Sequence, residues 1–367
     1  HGKISVMVIL NDCTIDSFSV IMKLIIEKNI PFIQGLLDGM ADVEYLAPED
    51  ITPETMRDAD ALITRTRTRC DAALLEGSRC RFIATATIGT DHINLDYCRA
   101  RGITVANAPG CNAPAVAQYV FASILAYRKA FGLDVDATDV EGSRLSNMTL
   151  AVVGVGNVGS IVARWGEGLG MRVLRVDPLR AMAEGPAGFS TLADAAREAD
   201  VITFHTPLTR DGYCPTYHMA DAVFFNTLER KPLIINSARG PVVDNAALVE
   251  AIDGGKVSAA AIDCWEGEPA ISPALLERAF IATPHIAGYS REGKIRATSM
   301  ALDAICGFFA LPHVSPLETV GFPVPDHPAP HEISASYNPL ADTAALRLNP
   351  SAFEALRNGY NYRPEVR

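Results

Sequence analysis

The chain of 367 residues has no apolar run that approaches the roughly 20 residues needed to cross a bilayer. It also has no basic domain and no dense Lys/Arg block: 32 Lys and Arg stand against 43 Asp and Glu, for a formal net charge of −11. That balance argues against a nucleic-acid partner, whose phosphates are met by clustered cations. It still permits an anionic small molecule, which needs only a local basic pocket. The eight cysteines (positions 13, 70, 80, 98, 111, 214, 264 and 306) show no CxxC pair and no Cys/His ligand spacing. No metal site is expected, and in a chain this long the pattern reads as reduced cytosolic thiols, not a disulfide framework. The first 21 residues lack a sustained apolar core and a small-residue cleavage motif, so they do not read as a secretory signal. Met22 opens MKLIIEKNIPF, which reads as a first strand, and residues 1–21 are expected to be an extension outside the fold.

What is present is the composition of a globular protein, 49% apolar and 20% charged, with length for two or three domains. From Met22 to Asn107 short apolar runs (Leu24–Ile26, Val43–Leu46, Ala61–Thr64, Phe82–Thr85, Ile103–Ala106) alternate with helix-like pieces at Phe32–Leu37, Thr55–Asp58, Asp71–Leu75 and Leu95–Arg101. Strands alternating with helices predict a parallel sheet. A long helix is expected from Ala115 to Phe131, and a polar linker at Asp134–Asn147. A second α/β unit follows, with strands near Val201–Phe204, Leu233–Asn236, Ser258–Asp263 and Phe280–Ala282. Arg291 to Phe309 reads as an amphipathic helix. Leu311–Pro330 carries six prolines and reads as a linker or extended arm. One short helix (Pro350–Arg357) is expected after it, in a tail too small to hold a core alone.

One stretch carries a ligand signature. Leu150–Val153 reads as a strand and leads into Gly154-x-Gly156-Asn157-Val158-Gly159. A helix with Val158, Ile161, Val162, Trp165 and Leu169 on one face comes next, then a second strand, Arg172–Val176, ending in Asp177. Gly154 allows the tight turn, Gly156 the approach of a pyrophosphate, and Gly159 the packing of helix on strand. The phosphates would meet the free N–H groups and positive dipole of the helix N-terminus. Asp177 would accept hydrogen bonds from a ribose diol and repel a 2′-phosphate, which favours NAD over NADP. Arg180, three residues on, keeps some tolerance of NADP open.

Three segments at strand ends of the second unit hold most of the reactive groups: Asn236-Ser-Ala-Arg239, Asp263-Cys-Trp-Glu266-Gly-Glu268 and Thr283-Pro-His285. In an open α/β sheet the ligand crevice lies outside the carboxyl ends of the strands. Arg239 can hold a carboxylate bidentately. His285 can exchange a hydroxyl proton. Glu268, paired with it, would favour the protonated imidazole and fix the ring. The same residues are also compatible with a surface arginine, a packed histidine and two solvated turn carboxylates. His205 and His218 compete for the role of base; His205, before Thr206-Pro207, suits the lining of a cofactor cleft better. Arg65, Arg67 and Arg69 alternate, so an extended backbone would put them on one face, as an anion site or as a strand edge blunted by charge. Thr85-Ala-Thr87-Ile-Gly89-Thr90 is a second polar loop with donors for an anion.

Together these segments resemble the D-isomer-specific 2-hydroxyacid dehydrogenases from Met22 to about Gly307. VGVGNVG, HTPLT at 205–209, NSARGPVVD at 236–244, DCWEGEP at 263–269 and TPHIAG at 283–288 are similar to the family at large. ATATIGTDHIN (84–94), APGCNAPAVAQYVF (108–121) and AGYSREGKIRAT (287–298) resemble a subgroup that oxidises a small phosphorylated sugar acid, 4-phospho-D-erythronate, at C2 in pyridoxal phosphate biosynthesis. The resemblance implies two doubly wound parallel-sheet domains: a Rossmann NAD-binding domain (118–286) and a flavodoxin-like substrate domain (22–117 with 287–310). A C-terminal linker and dimerisation segment (311–367) would make a homodimer. It implies Arg239, Glu268 and His285 as catalytic, with His285 the acid/base. Asp177, Thr206, Ser237, Ala238, Arg239, Asp263 and Gly288 would contact the cofactor, with the glycine loop. Thr66, Thr87 and Tyr289 would contact substrate, joined by Arg65, which the broad family shares. Gln118 stands where relatives have Glu, with little consequence expected. Rival readings are a dehydrogenase of the 3-phosphoglycerate or glyoxylate type, and a non-enzymatic NAD-sensing protein on the same fold.

Overall fold

The computed structural model describes residues 22–132, 144–316 and 323–367. The expected extension 1–21 and most of the expected linker lie outside the described residues.

Eleven short strands among the described residues build two parallel sheets. The first contains β1 (Lys23–Glu27), β2 (Asp42–Leu46), β3 (Ala61–Thr64), β4 (Phe82–Thr85) and β5 (Thr104–Ala106), in the order β2-β1-β3-β4-β5. That order is the flavodoxin-like one. The second contains β6 (Thr149–Val153), β7 (Arg172–Val176), β8 (Val201–Phe204), β9 (Leu233–Asn236), β10 (Ala259–Ile262) and β11 (Ile281–Ala282), in the order β11-β10-β9-β8-β6-β7. The expected strands therefore form, and for a physical reason. Strands covered on both faces read as unbroken apolar runs, and alternate residues feed opposite cores. Ala151 and Val153 of β6 pack into one core with Ile202, Phe204 and Ile234. Leu150 and Val152 pack into the other with Val201, Leu233 and Ile235. The first sheet divides likewise, Leu24 and Ile26 on one side and Ile25 on the other.

In the second sheet the order reverses at β6, whose neighbours are β7 and β8. A doubly wound sheet opens its crevice at such a switch point. After β7 and the helix Pro178–Glu184, the Ser190 N–H donates to the Arg175 carbonyl (2.7 Å), just ahead of the helix Leu192–Glu198. Two long helices connect the sheets. Helix Ala113–Ala130 packs on helix Asn157–Gly168, while helix Arg291–Phe309 returns to pack on β4.

Two expectations fail. Phe32–Leu37 is a series of turns, because Phe32, Gly35 and Gly39 all take positive φ (63°, 81° and 80°), which breaks a right-handed helix. The tail is richer than expected, with helices Pro330–Ser336 and Pro339–Leu348 ahead of Phe353–Asn358. It docks on its own chain. Ile333, Tyr337 and Val366 join one core of the second sheet, Leu346 and Phe353 the other. Thr343 Oγ1 accepts from the Ala282 amide (3.0 Å), so the tail covers the edge strand β11.

Candidate active site

The glycine loop leaves β6 at the switch point. Gly154 takes φ 86°, and a Cβ there would lie 2.8 Å from the His205 carbonyl carbon, so two strand ends touch at a residue without a side chain. A Cβ on Gly159 would sit 1.9 Å from the Gly154 carbonyl oxygen, so the helix closes on the turn only with glycine. Gly156 opens helix Asn157–Gly168 with no side-chain cap, and a Cβ on it would meet nothing within 4 Å. The first N–H groups of that helix are left for an external acceptor. Asp177 accepts from the Val155 amide (2.9 Å) and caps the next helix through the Arg180 amide (3.1 Å). Arg180 is occupied, donating to the Val155 carbonyl (2.6 Å) and pairing with Glu184 (2.6 Å).

The loop faces a cavity of about 760 Å³ between the two sheets. Asn157, Val158, Thr206, Ser237, Ala238 and Asp263 line it from the nucleotide side. Three buried polar atoms at its wall have no hydrogen-bond partner: Asn112 Oδ1, His205 Nδ1 and Ser237 Oγ. Orphaned buried atoms are costly unless a ligand satisfies them. With the uncapped helix, they fit a polar cofactor laid along this wall. His205 bonds Thr203 Oγ1 through Nε2 (3.0 Å) and pairs with no carboxylate among the described residues. Although the residue reaches the cavity surface, loss of solvent around its ring pushes it down to about 3. It stays neutral, which suits a lining role better than that of a proton carrier.

Arg239 and His285 line the same cavity, and Glu268 stands behind His285. His285 Nδ1 is 2.8 Å from Glu268 Oε2, while Glu268 Oε1 accepts from the Trp265 amide (2.7 Å). Burial raises the Glu268 carboxyl, but the bond and charge of His285, the Trp265 amide and Arg357 outweigh it and hold it below the usual carboxylate range. Asp263 holds the histidine's turn. Fully buried, it accepts from Thr283 Oγ1 (2.7 Å) and from the Ile286 and Ala287 amides (2.8 and 2.9 Å). That turn puts His285 at φ 57°, a strained conformation for a side-chain-bearing residue, with its amide bonded to the Asp263 carbonyl (3.0 Å). Gly288 ends the turn against Asn112, which a Cβ would strike at 2.0 Å. The other loop carboxylate, Glu266, goes elsewhere. It takes His218 Nε2 (2.6 Å) and the Asn245 amide (2.9 Å), so His218 is a brace behind the arginine loop rather than a rival base. Cys264, Glu268 and His285 bring potential metal-ligand atoms within 4.8 Å of one another. Two of the three are spent on each other, and burial pushes the Cys264 thiol well up.

From the facing domain, Arg65, Thr66 and Thr87 line the cavity, and Tyr289 does so from the end of the histidine loop. The extended arginine face does not form. Buried Glu27 accepts from the Arg65 amide (2.9 Å) and from the Thr64 and Thr68 hydroxyls (3.1 Å each), which folds the segment into a bend. Arg67 then turns to Glu354 (3.6 Å) and Arg69 to Asp71 (2.8 Å), leaving Arg65 at the cavity. Arg239 reaches across the cleft to Asp91 (3.3 Å), a pair exposed enough for an incoming carboxylate to replace it.

Sequence reasoning missed three residues. Lys294 and Arg357 also line the cavity. Arg363, in the tail, donates to the carbonyls of Ile286 (3.0 Å) and Ala287 around the histidine turn and to Gln118 Oε1 (3.1 Å). Gln118 is fully buried and also donates to Ser336 Oγ (2.8 Å), so this position ties the tail to the site.

The arrangement can hold a 2-hydroxy acid by its carboxylate, exchange its hydroxyl proton, and set C2 beside a dinucleotide. The NAD-binding-domain model of the D-isomer-specific 2-hydroxyacid dehydrogenases matches residues 125–287. Erythronate-4-phosphate dehydrogenase of Bacteroides thetaiotaomicron is 46% identical over 94% of this chain and 97% of its own length. Its counterpart in Bacteroides fragilis is 44% identical over the same shares. Among solved structures, Aquifex aeolicus D-lactate dehydrogenase with NAD and lactic acid superposes with TM-score 0.64 at 27% identity, covering 78% of this chain and 95% of that one. The chain is an NAD-dependent dehydrogenase and belongs to the D-isomer-specific 2-hydroxyacid dehydrogenase family.

Proposed function

We propose that the chain oxidises the C2 hydroxyl of 4-phospho-D-erythronate to (R)-3-hydroxy-2-oxo-4-phosphooxybutanoate, within pyridoxal phosphate biosynthesis. The observation that carries the chemistry is the His285–Glu268 pair at 2.8 Å, in one cavity with Arg239 and the uncapped glycine-loop helix. The relatives' name supports the substrate. Arg239 leaves Asp91 to hold the C1 carboxylate. Glu268 accepts from Nδ1–H, so Nε2 is free to take the hydroxyl proton as the C2–H bond breaks. NAD, when bound, accepts the hydride from C2. Gly154, Gly156, Asn157, Val158 and Gly159 would cradle its pyrophosphate, and Asp177 would turn to its ribose. Thr206, Ser237, Ala238, Asp263 and Gly288 would line its nicotinamide end, and Thr66, Thr87 and Tyr289 would hold substrate with Arg65.

We take 22–117 with 287–310 as the substrate domain, 118–286 as the NAD domain and 311–367 as a segment that also pairs two copies. Leu340 and Leu348 (39% and 88% exposed) give that segment apolar surface to bury. A concentration-independent monomer mass in solution would refute the homodimer. Seven free cysteines among the described residues favour a cytosolic location. The deciding assay follows NADH formation with 4-phospho-D-erythronate, with 3-phosphoglycerate and with no substrate, and NADH consumption with glyoxylate. A preference for 3-phosphoglycerate or glyoxylate overturns the substrate, and turnover of none overturns the enzyme.

A further inference from the structure

On the wall of the main cavity three cations meet without a matching set of carboxylates. Lys294 comes from the helix Arg291–Phe309, Arg357 from the tail helix Phe353–Asn358, and Arg65 from the end of β3. Lys294 Nζ lies 3.7 Å from the centre of the Tyr289 ring and 5.5 Å from that of Tyr362. It has no carboxylate partner among the described residues. Arg357 Nε donates to the Tyr289 hydroxyl (3.3 Å), and its guanidinium stands 3.6 Å from Glu354, which also faces Arg67. Arg65 Nη1 donates to the Asn29 carbonyl (2.9 Å). A side cavity of about 460 Å³, lined also by Glu27 and Glu354, shares Arg65, Thr66, Tyr289 and Arg357 with the main one, so Arg65 and Arg357 border open space on both sides. Burying like charges together is costly unless an anion joins them.

We propose that Lys294 and Arg357, with Arg65, form the subsite that receives the phosphate of the substrate, and that Lys294 and Arg357 set the preference for a phosphorylated acid. This rests on the substrate reading above. The placement is chemically economical. Arg239 takes the carboxylate at one end of a four-carbon chain, His285 the adjacent hydroxyl, and the cation cluster the phosphate at the other end. Arg357 also stabilises the Glu268 carboxylate through its charge, so the subsite and the catalytic pair are near neighbours. The contribution of the tail to this subsite explains why a segment with no core of its own is held so firmly at Gln118, Arg363 and Phe353.

Burial, then the Arg65 and Arg357 charges, hold Lys294 well below an ordinary lysine, with Cys111 opposing. The rings of Tyr289 and Tyr362 complete its surroundings. A dianion arriving beside it favours the ammonium form.

The test compares wild type, Lys294→Met and Arg357→Met, each with NAD, on 4-phospho-D-erythronate and on unphosphorylated D-erythronate. The ratio of kcat/KM for the phosphorylated over the unphosphorylated acid is expected to fall by about 10–100-fold in each variant, the worth of one charge-assisted hydrogen bond. Lys294→Arg should recover part of it. An equal loss on both substrates, or no change in the ratio, overturns the subsite. Separately, inorganic phosphate is titrated into the NAD-loaded protein by calorimetry. Wild type should bind it saturably, and Lys294→Met should lose that binding. If wild type turns over neither acid, the substrate reading fails, and the phosphate titration alone decides the subsite: saturable binding lost in Lys294→Met upholds it, and equal or absent binding ends it.

Discussion

Replacing Glu268 by Gln isolates the tautomer logic of the site. Both carboxylate oxygens are committed, Oε1 to the Trp265 amide (2.7 Å) and Oε2 to His285 Nδ1 (2.8 Å). Each of those interactions uses an acceptor, and glutamine keeps only one. If its oxygen stays on the Trp265 N–H, its amide group donates to Nδ1. The proton of a neutral His285 then sits on Nε2, where it cannot accept the substrate's hydroxyl proton. If the amide flips, two donors face each other at Trp265, inside a largely buried corner where an unmade hydrogen bond costs about 1–3 kcal/mol. The first arrangement therefore wins, and kcat should fall by about 10²–10⁴-fold, or roughly 2.7–5.4 kcal/mol of barrier. NAD affinity should change little, because no bond in the glycine loop involves Glu268. Adding His285→Ala to Glu268→Gln should cost almost nothing further, since the two act as one unit. Stopped-flow NADH formation and a fluorescence titration of cofactor measure both. A loss below tenfold, or full additivity in the double variant, would refute the pairing as the source of base strength. The same bond has a stability signature. A carboxyl held below its unfolded value of about 4.3 contributes stability that is complete above that pH and lost as pH falls through the folded value. The thermal midpoints of wild type and Glu268→Gln should thus converge in acid.

Three further perturbations address other parts of the molecule. His285→Ala should lower kcat by about 10²–10⁴-fold with NAD binding near normal, and a variant that loses only cofactor affinity would contradict the assignment. His205 is neutral when folded, with its pKa at about 3, but takes a proton below about 6.5 when unfolded. Stability is therefore lost as pH falls below 6.5, by roughly 2 kcal/mol between pH 7 and pH 5. Urea midpoints should show that loss in wild type and not in His205→Asn, and parallel curves would rule it out. Phe353 is fully buried in the core shared with the second sheet, so Phe353→Ala should cost about 3–5 kcal/mol and make the tail protease-sensitive. A loss under about 1 kcal/mol would mean that the tail does not dock as described.

The strands were legible because strands covered on both faces are written as continuous apolar runs, and the Arg291–Phe309 helix because its apolar positions keep one face. Other elements were hidden by residues that read two ways. Gly35 and Gly39 sit within and just after an apolar stretch of helical spacing, and only their positive φ reveals turns. In the tail, the prolines up to Pro330 suggest an extended arm by their density, but Pro330, like Pro339 after it, is the first residue of a helix, where proline's missing N–H costs nothing. The site shows the same division. Arg239, Glu268 and His285 could be named because each follows a strand that ends at the crevice. Arg357 could not, because nothing local says that a tail residue returns to the cleft, nor could Lys294, which sits in a helix read only for its apolar face. Most informative is the pair Glu266 and Glu268, two residues apart and equivalent on paper. The loop after β10 turns one toward His218 and Asn245 behind the arginine loop, and the other toward His285 and the cavity. One segment thereby supplies a structural brace and a catalytic partner. The Gly267 between them, at φ 76°, is where the backbone makes that separation, so a side chain there would strain the turn that aims Glu268.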